Sequence, residues 1–233
     1  MKILSFDTSG EFCSVALHVG KDLIAFDQDI TCSLQAAELL IPMIDKVVKS
    51  SFLRYKDLDY VALTKGPGSF TGIRVGLSAA QGILMCTKAS PVVFSNFELW
   101  NYRSKMQMGS GLDASVVVIK AYSGQIYTQV FEYCGDNKNP ELLTLEQLKK
   151  NIEYLADKTV AFLGTGITYL VDPFFQRPNF FFLPRYTNAK FLGQLACKLI
   201  DIKEINEIHG DLSPLYMKSP SVGIPKNEKS DLS

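Results

Sequence analysis

Histidine is scarce in this chain of 233 residues, which contains only His18 and His209. Neither a His-x-x-x-His nor a His-Glu-x-x-His motif occurs, so the usual sequence signatures of a zinc peptidase are missing. A Ser-His-Asp triad would have to use one of these two histidines, and neither lies near a nucleophile elbow. The histidine content therefore disfavours metal-dependent hydrolysis, and we predict no metal site.

Cysteine pairs, a surplus of one charge and long apolar runs are also missing. The five cysteines are odd in number and form no Cys-x-x-Cys motif, which disfavours a disulfide scaffold and is typical of a reduced, cytoplasmic protein. The 24 basic residues equal the 24 acidic ones, so the chain lacks the basic surplus of a protein that binds nucleic acid alone. The balanced charge of the whole chain does not exclude a local basic patch. No apolar run approaches the ~18 residues of a membrane span, and we predict a first strand, not a signal peptide, at the N-terminus.

The sequence does contain the alternating pattern of an α/β protein, with 47% apolar residues. We predict strands at 2–6, 13–19, 23–26, 60–64 and 91–94. We predict a first helix at 34–49, capped by Ser33 and kinked at Pro42, and a second helix at about 72–87. A third helix should follow the capping box Ser95-Asn96-Phe97-Glu98. Beyond the boundary at 108–111 we predict a hairpin of 115–120 and 126–133, a helix at 144–154, strands at 159–163 and 180–182 (the latter buried), and a helix at 188–203. This partial repetition predicts an internal duplication, with an N-terminal lobe at 1–108, near which helix 188–203 packs, a reduced lobe at 109–217 and a disordered tail at 218–233.

A glycine-rich segment, Gly66-Pro67-Gly68-Ser69-Phe70-Thr71-Gly72, joins a predicted buried strand to a helix. It is either a phosphate or nucleotide site, because the N–H groups of such loops can face an anion, or a tight turn in which glycine supplies positive φ. The Gly-Lys-Ser/Thr ending of a Walker A loop is missing. The segment after the first strand can likewise face phosphate and magnesium or form an Asx turn. The residues predicted to shape this cleft are Asp7, Thr8, Ser9, Gly66, Gly68, Ser69, Thr71 and Gly72.

Small residues recur every four positions on the second helix, at Gly72, Gly76 and Ala80. Because an interior glycine costs ~1 kcal/mol of helix propensity relative to alanine, we expect this helix to let another backbone approach closely. The neighbour is either the first helix of the same chain or a helix of a second subunit, and the spacing leaves both open.

Three strings together resemble the TsaB (YeaZ) family and, in the third string, its relative TsaD. They are Ile3-Leu4-Ser5-Phe6-Asp7-Thr8-Ser9, Cys13-Ser14-Val15-Ala16-Leu17, and Gly66 to Gly76, and Pro214-Leu215-Tyr216 also fits. The resemblance covers residues 1–100 and is thin afterwards. It implies an actin-like, Hsp70-like (ASKHA) fold of two ribonuclease-H-like lobes, the second one reduced.

The resemblance also implies a function in making N6-threonylcarbamoyladenosine (t6A) at position 37 of tRNAs that read ANN codons. In that family TsaD carries the catalytic site, and TsaB is a non-catalytic partner that dimerises with TsaD, or with itself, through helices of the N-terminal lobe. The resemblance further implies that TsaE joins the complex and that this chain contacts tRNA only through the complex. It allows ATP or ADP at a subunit interface, and it implies that this chain requires no cofactor of its own. The residues predicted at the interface are Leu34, Ala37, Leu40, Ile41, Ile73, Gly76, Leu77, Ala80 and Leu84.

The chain departs from the family pattern in two places. Ala36 occupies a position that is usually histidine, and Lys120, Tyr122 and Gln125 replace an acid, an arginine and a second acid. A stand-alone nucleotide-dependent enzyme of the same fold, or a glycoprotease-like peptidase, is the alternative function, but a kinase would need an acid where Lys120 stands. A homodimeric binding protein outside any complex is the third hypothesis.

Overall fold

Two five-stranded sheets form the framework of the protein. A computed structural model describes residues 1–29, 35–183, 186–201 and 211–217. The first sheet contains β1 (Lys2–Asp7), β2 (Cys13–Val19), β3 (Asp22–Asp29), β4 (Tyr60–Thr64) and β5 (Ser90–Phe94). The second contains β6 (Ala114–Lys120), β7 (Ile126–Glu132), β8 (Glu141–Leu143), β9 (Val160–Leu163) and β10 (Phe180–Phe182). The helices are α1 (Ala36–Ser50), α2 (Phe70–Met85), α3 (Asn96–Met108), α4 (Leu145–Asn151) and α5 (Ala189–Asp201).

The two sheets have the same topology. Their strand orders are β3-β2-β1-β4-β5 and β8-β7-β6-β9-β10. In each, the first strand pairs antiparallel with the second and parallel with the fourth. The internal duplication predicted from the sequence is therefore present, with β6 as the counterpart of β1.

The second lobe is reduced because it has no counterpart of α2 among the residues that the structure describes. Between β9 and β10 the chain forms only two 3-10 turns, Thr165–Tyr169 and Pro173–Phe175. The helix predicted at 144–154 also divides, since α4 ends at Asn151 and a 3-10 turn follows at Glu153–Leu155.

The lobes are joined by an exchange of helices. α3 follows the first sheet, yet its Phe97 and Trp100 pack with Val117 and Leu163 of the second sheet. α5 follows the second sheet and packs on the first, where Leu192 contacts the cluster around β1, β4 and β5. Because each helix buries its apolar face against the other lobe, the two lobes share their cores.

The N-terminus of α5 is also fixed to the first sheet by hydrogen bonds. The hydroxyl of Ser5 donates to the carbonyl of Ala189 at 2.9 Å, and the N–H of Ala189 donates to the Ser14 hydroxyl at 2.9 Å. The second bond satisfies an N–H group that a helix start leaves without an intrahelical partner. They tie the last described helix to the first two strands of the chain.

Helix boundaries differ from the prediction where capping decides them. α2 begins at Phe70, two residues earlier than predicted, because the Ser69 hydroxyl caps it by accepting from the N–H of Gly72 at 3.2 Å. The capping box at Ser95 and Glu98 is confirmed. The predicted cap Ser33 lies outside the described residues, as do Leu34, His209 and the predicted tail at 218–233. Within the described part of the chain, no helix is both long enough and apolar enough to cross a membrane.

The strand predicted as buried at Phe180–Phe182 is an edge strand instead. Among the described residues β10 pairs only with β9, so one of its sides has no neighbouring strand there. Phe180 is buried, but Phe181 and Phe182 are each 40% exposed. The prediction was wrong because three consecutive phenylalanines do not reveal whether a strand lies at the centre or the edge of a sheet.

A buried histidine between β2 and α5 predicts a pH-dependent stability. His18 is fully buried and neither ring nitrogen has a hydrogen-bond partner. Burial, and secondly the charge of Lys190, lower the pKa of His18 below its usual 6.5. The folded protein therefore keeps the neutral ring, and protonation favours the unfolded chain.

Above pH 6.5 we expect the contribution of His18 to the free energy of unfolding to be constant. Below pH 6.5 it should fall, by at most about 1.4 kcal/mol per pH unit, because the unfolded chain binds a proton that the folded one excludes. Urea unfolding at pH 7.5 and 5.5 measures the difference. His18→Ala should remove most of the difference in free energy of unfolding between the two pH values. An unchanged pH dependence in that variant would contradict the assignment of this difference to His18.

Candidate functional site

A cleft lies between the two lobes at the carboxyl ends of β1 and β6. Its cavity has a volume of about 200 Å³. The lining residues from the first lobe and α3 are Asp7, Ser9, Gly10, Glu11, Phe12, Pro67, Gly68, Ser69, Asn96 and Trp100, and those from the second lobe and the segment before α5 are Ile119, Lys120, Thr165, Tyr186 and Thr187. Four of the predicted cleft residues, Asp7, Ser9, Gly68 and Ser69, are therefore at the cleft.

The other four predicted cleft residues do not line it. Thr8, Gly66 and Gly72 are buried behind the cleft surface. Thr71 is exposed and lines a groove between α1 and α2. Successive residues of a turn and of a helix point in different directions, which a contiguous sequence motif does not show.

The Asp7 carboxylate is buried and held by its own turn. Its Oδ1 accepts hydrogen bonds from the Ser9 N–H at 3.0 Å, from the Ser9 hydroxyl at 2.6 Å and from the Thr64 hydroxyl at 3.0 Å. Its Oδ2 accepts from the Thr187 hydroxyl at 3.5 Å. The bond from the Ser9 N–H forms the Asx turn that was one of the two interpretations of this segment, and the two threonine hydroxyls hold the carboxylate from other segments of the chain.

The glycine-rich loop packs directly against that turn. A Cβ on Gly68 would lie 2.3 Å from the Ser9 carbonyl oxygen, and one on Gly72 would lie 1.9 Å from the Thr8 carbonyl oxygen. The Ser69 N–H donates to the same Ser9 carbonyl at 2.8 Å. Carbonyl oxygens occupy the space beside these glycines, so the geometry supports close packing rather than phosphate binding as the reason for Gly68 and Gly72.

Asn96 is a cleft residue that the sequence analysis missed. Its side-chain N–H donates to the Ser9 hydroxyl at 2.8 Å and to the Pro67 carbonyl at 2.6 Å. Its backbone N–H donates to the Gly66 carbonyl at 2.7 Å. Asn96 thus ties both loops to the start of α3. Its position directly after β5 was an available signal, because the ends of parallel strands β1, β4 and β5 meet at one edge of the sheet.

Lys120 ends β6 as Asp7 ends β1, so each is the last residue of the first strand of its sheet, and both line the cleft. The backbone N–H of Lys120 donates to the Thr165 hydroxyl at 3.1 Å. The cleft therefore has an acid on one wall and a base on the other. The described residues contain no group of three or more histidine, cysteine, aspartate or glutamate side chains that could hold a metal ion.

The other departures from the family pattern lie away from the cleft lining. Tyr122 is 87% exposed in the turn between β6 and β7, and Gln125 follows that turn. Ala36 begins α1 and is buried.

Most of the predicted interface residues lie inside the first lobe. Leu40, Ile73, Gly76, Leu77 and Ala80 are buried, and of these five only Leu40 lines a groove among the described residues. A Cβ on Gly76 would lie 2.7 Å from the Thr8 hydroxyl oxygen. The small residues of α2 therefore face the end of β1, a neighbour that neither interpretation had considered.

An exposed groove between α1 and α2 remains on the outer side of the first lobe. Of the predicted interface residues, Ala37 and Ile41 are exposed and Leu84 is half-buried. The groove is lined by Ala37, Leu40, Ile41, Phe70, Thr71, Arg74, Val75, Ser78 and Ala79. A second depression continues it past Gly82 and Ile83 toward the end of α2. We refer to the surface lined by the nine residues as the α1–α2 groove.

The chain is similar to one protein family and to proteins of several bacteria. The model described as "TsaD: tRNA N6-adenosine threonylcarbamoyltransferase" matches residues 31–197. The tRNA threonylcarbamoyladenosine biosynthesis protein TsaB of Buchnera aphidicola subsp. Schizaphis graminum is 30% identical over 70% of this chain and 78% of its own length. The protein of the same name from Bacillus subtilis is 24% identical over 94% of both chains.

Solved structures show the fold. A YeaZ structure from Pseudomonas aeruginosa superposes with a TM-score of 0.73 at 24% identity, covering 93% of this chain and 99% of that one. A putative N-acetylmannosamine kinase from Listeria monocytogenes gives a TM-score of 0.52 at 13% identity, covering 87% of this chain and 100% of that one. The actin-like, two-lobed fold implied by the sequence strings is thereby confirmed. The chain belongs to the TsaB (YeaZ) family of proteins that take part in the synthesis of threonylcarbamoyladenosine in tRNA.

Proposed function

We propose that this protein is a non-catalytic subunit of the cytoplasmic complex that adds threonylcarbamoyl to N6 of adenosine 37 in ANN-decoding tRNAs. It acts by dimerising with the transferase TsaD. The observation that carries this proposal is the α1–α2 groove, an exposed and mostly apolar surface on the lobe that carries the family's sequence strings. Its Ile41 is 53% exposed on α1.

The composition of the cleft supports a non-catalytic role. A kinase or ATPase of this fold would need acids on both walls to hold a metal-bound phosphate, because magnesium prefers oxygen ligands. Here β6 ends in Lys120 where β1 ends in Asp7, and the two residues line opposite walls of the cleft. The Oδ1 atom of Asp7 already accepts three hydrogen bonds from the protein's own groups.

The groove supports subunit binding by its shape and chemistry. Apolar side chains from α1 and α2 leave a depression into which a helix of a partner can pack. When TsaD is absent, a second copy of the chain is proposed to occupy the same surface. TsaE and an ATP or ADP molecule are proposed to join at the assembled interface. The balanced charge of 24 basic and 24 acidic residues supports tRNA contact through the complex and not through this chain alone.

Ile41→Glu is expected to weaken binding to TsaD about tenfold, because it removes apolar burial of about 1.5 kcal/mol and places a carboxylate in the groove. Size-exclusion chromatography with light scattering, on this chain alone and mixed with TsaD of the same organism, shows the heterodimer. Titration calorimetry then gives Kd.

The matched control is Met106→Glu, which changes a helical side chain of α3 that is 49% exposed outside the groove. It should bind TsaD as the unchanged chain does. Failure of the unchanged chain to bind TsaD would refute the proposed function. A stable homodimer that never exchanges for a heterodimer with TsaD would favour a binding protein outside the complex. An equal loss of TsaD binding in Ile41→Glu and Met106→Glu would place the interface outside the α1–α2 groove.

A further inference from the structure

Residues 211–217 cross the outside of the glycine-rich loop next to the α1–α2 groove. The N–H of Leu215 donates to the Lys65 carbonyl at 2.8 Å, and Leu212 packs against the core of the first lobe. Met217 packs against the cluster that joins α3 to the second sheet. This segment, which we call the strap, therefore places Tyr216 at a fixed position beside the start of α2.

Tyr216 and Phe70 hold the side chain of Arg74 in one orientation. The Nε atom of Arg74 donates to the Tyr216 hydroxyl at 2.8 Å. The guanidinium carbon lies 3.8 Å from the centre of the Phe70 ring, and the two aromatic rings are 5.5 Å apart. A guanidinium stacked on one ring and hydrogen-bonded at Nε can present its two terminal nitrogens only in a defined direction.

Arg74 is a charged and exposed residue of α2. No aspartate or glutamate of the described residues forms a salt bridge with it, and α2 contains no acidic residue. Arg74 and Phe70 both line the α1–α2 groove, whose other side chains are neutral. A single oriented cation in an otherwise uncharged groove favours a partner surface that carries one carboxylate at the matching place.

We propose that Arg74 binds a carboxylate of the subunit that docks in the α1–α2 groove, and that Tyr216 is a positioning residue for Arg74. This inference rests on the proposed function, because it takes TsaD as the docked subunit. The two free terminal nitrogens of Arg74 form a fork that suits a carboxylate, with two parallel hydrogen bonds. The strap thus contributes to recognition of the partner without itself lining the groove.

The test measures Kd for TsaD by titration calorimetry at 50, 150 and 500 mM NaCl. Arg74→Gln is expected to weaken binding about tenfold at low salt and to reduce the dependence of Kd on salt, because a charge-assisted hydrogen bond is lost. Arg74→Lys keeps the positive charge but loses the planar guanidinium group. Its Kd should therefore lie between that of the unchanged chain and that of Arg74→Gln. Arg177→Gln, which removes an arginine of the second lobe that pairs with Glu153, is the control and should leave Kd unchanged.

Tyr216→Phe keeps the aromatic ring and removes the hydroxyl that holds Arg74. It should weaken binding a few-fold, and it should add nothing in the double variant with Arg74→Gln, because the two residues act as one unit. Additive losses would mean that Tyr216 acts apart from Arg74 and would overturn its positioning role.

The failure of this inference differs from the failure of the proposed function. If Ile41→Glu weakens binding while Arg74→Gln keeps the original Kd and salt dependence, the carboxylate contact is wrong and the groove stands. If Arg74→Gln weakens binding without changing its salt dependence, the loss is one of shape and the carboxylate contact is again wrong. If the unchanged chain does not bind TsaD, both are refuted.

Discussion

Gly72→Ala is expected to lower the free energy of unfolding by about 2 kcal/mol, and to disturb the cleft as well. The new Cβ would lie 1.9 Å from the Thr8 carbonyl oxygen and 3.0 Å from its carbonyl carbon. Both atoms are backbone, so α2 or the turn after β1 must move. Overpacking of this kind costs about 1–3 kcal/mol and occasionally more, which outweighs the ~1 kcal/mol of helix propensity that alanine gains over glycine.

Gly82→Ala on the same helix is the matched control. A Cβ on Gly82 has no atom within 4 Å, and the residue is exposed. We therefore expect this variant to be more stable by up to ~1 kcal/mol, because only the propensity term remains. Urea unfolding followed by circular dichroism compares the two variants with the unchanged chain. Equal effects of the two substitutions would contradict the close approach of α2 to the Thr8 backbone.

Gly193→Ala is expected to destabilise the exchanged helix α5 by about 2 kcal/mol through overpacking. A Cβ at this position would lie 2.3 Å from Nδ1 of His18 and 2.8 Å from the Ser5 hydroxyl oxygen. Both neighbours lie on the first sheet, so the substitution acts on the contact that joins the lobes. Thermal or urea unfolding measures the loss, and hydrogen exchange of α5 amides shows whether this helix is loosened first.

The double variant Gly193→Ala, His18→Ala tests whether overlap with the His18 ring causes this loss of stability. Removing the imidazole leaves room for the new methyl group, so the double variant should lose less stability than the sum of the two single variants. Residues in direct contact typically give such coupling energies of 0.5–3 kcal/mol. Strict additivity would show that the Gly193 substitution acts through something other than the His18 ring.

The order of the elements could be read from the sequence because local signals decide it. The alternation in β2, the capping box at Ser95 and the small-residue turn between β6 and β7 depend on neighbours within a few positions. Partial repetition of that order predicted the duplication, and the two sheets have the same strand order. The strings around Asp7 and from Gly66 to Gly76 were sufficient to identify the family.

The neighbours of a side chain could not be read in the same way. The spacing of Gly76 and Ala80 indicated a close contact on α2, but a periodic stripe gives only a helix face and not what covers it. The structure places the end of β1 there, and the Thr8 hydroxyl donates to the Gly72 carbonyl at 2.7 Å. The exposed α1–α2 groove is therefore formed by the adjacent face of α2, which includes Arg74 and Ser78.

The sequence by itself determined most of the elements, their order, the duplication and the family, since these follow from local propensity, periodicity and contiguous motifs, but it did not reveal the short edge strand β8. Only the tertiary structure decided how distant segments meet. It brought Asn96 to the turn at Ser9, exchanged α3 and α5 between the lobes and set Tyr216 against Arg74, 142 residues away along the chain. Such contacts depend on packing between elements that are far apart in sequence, and no local pattern records which of them become neighbours.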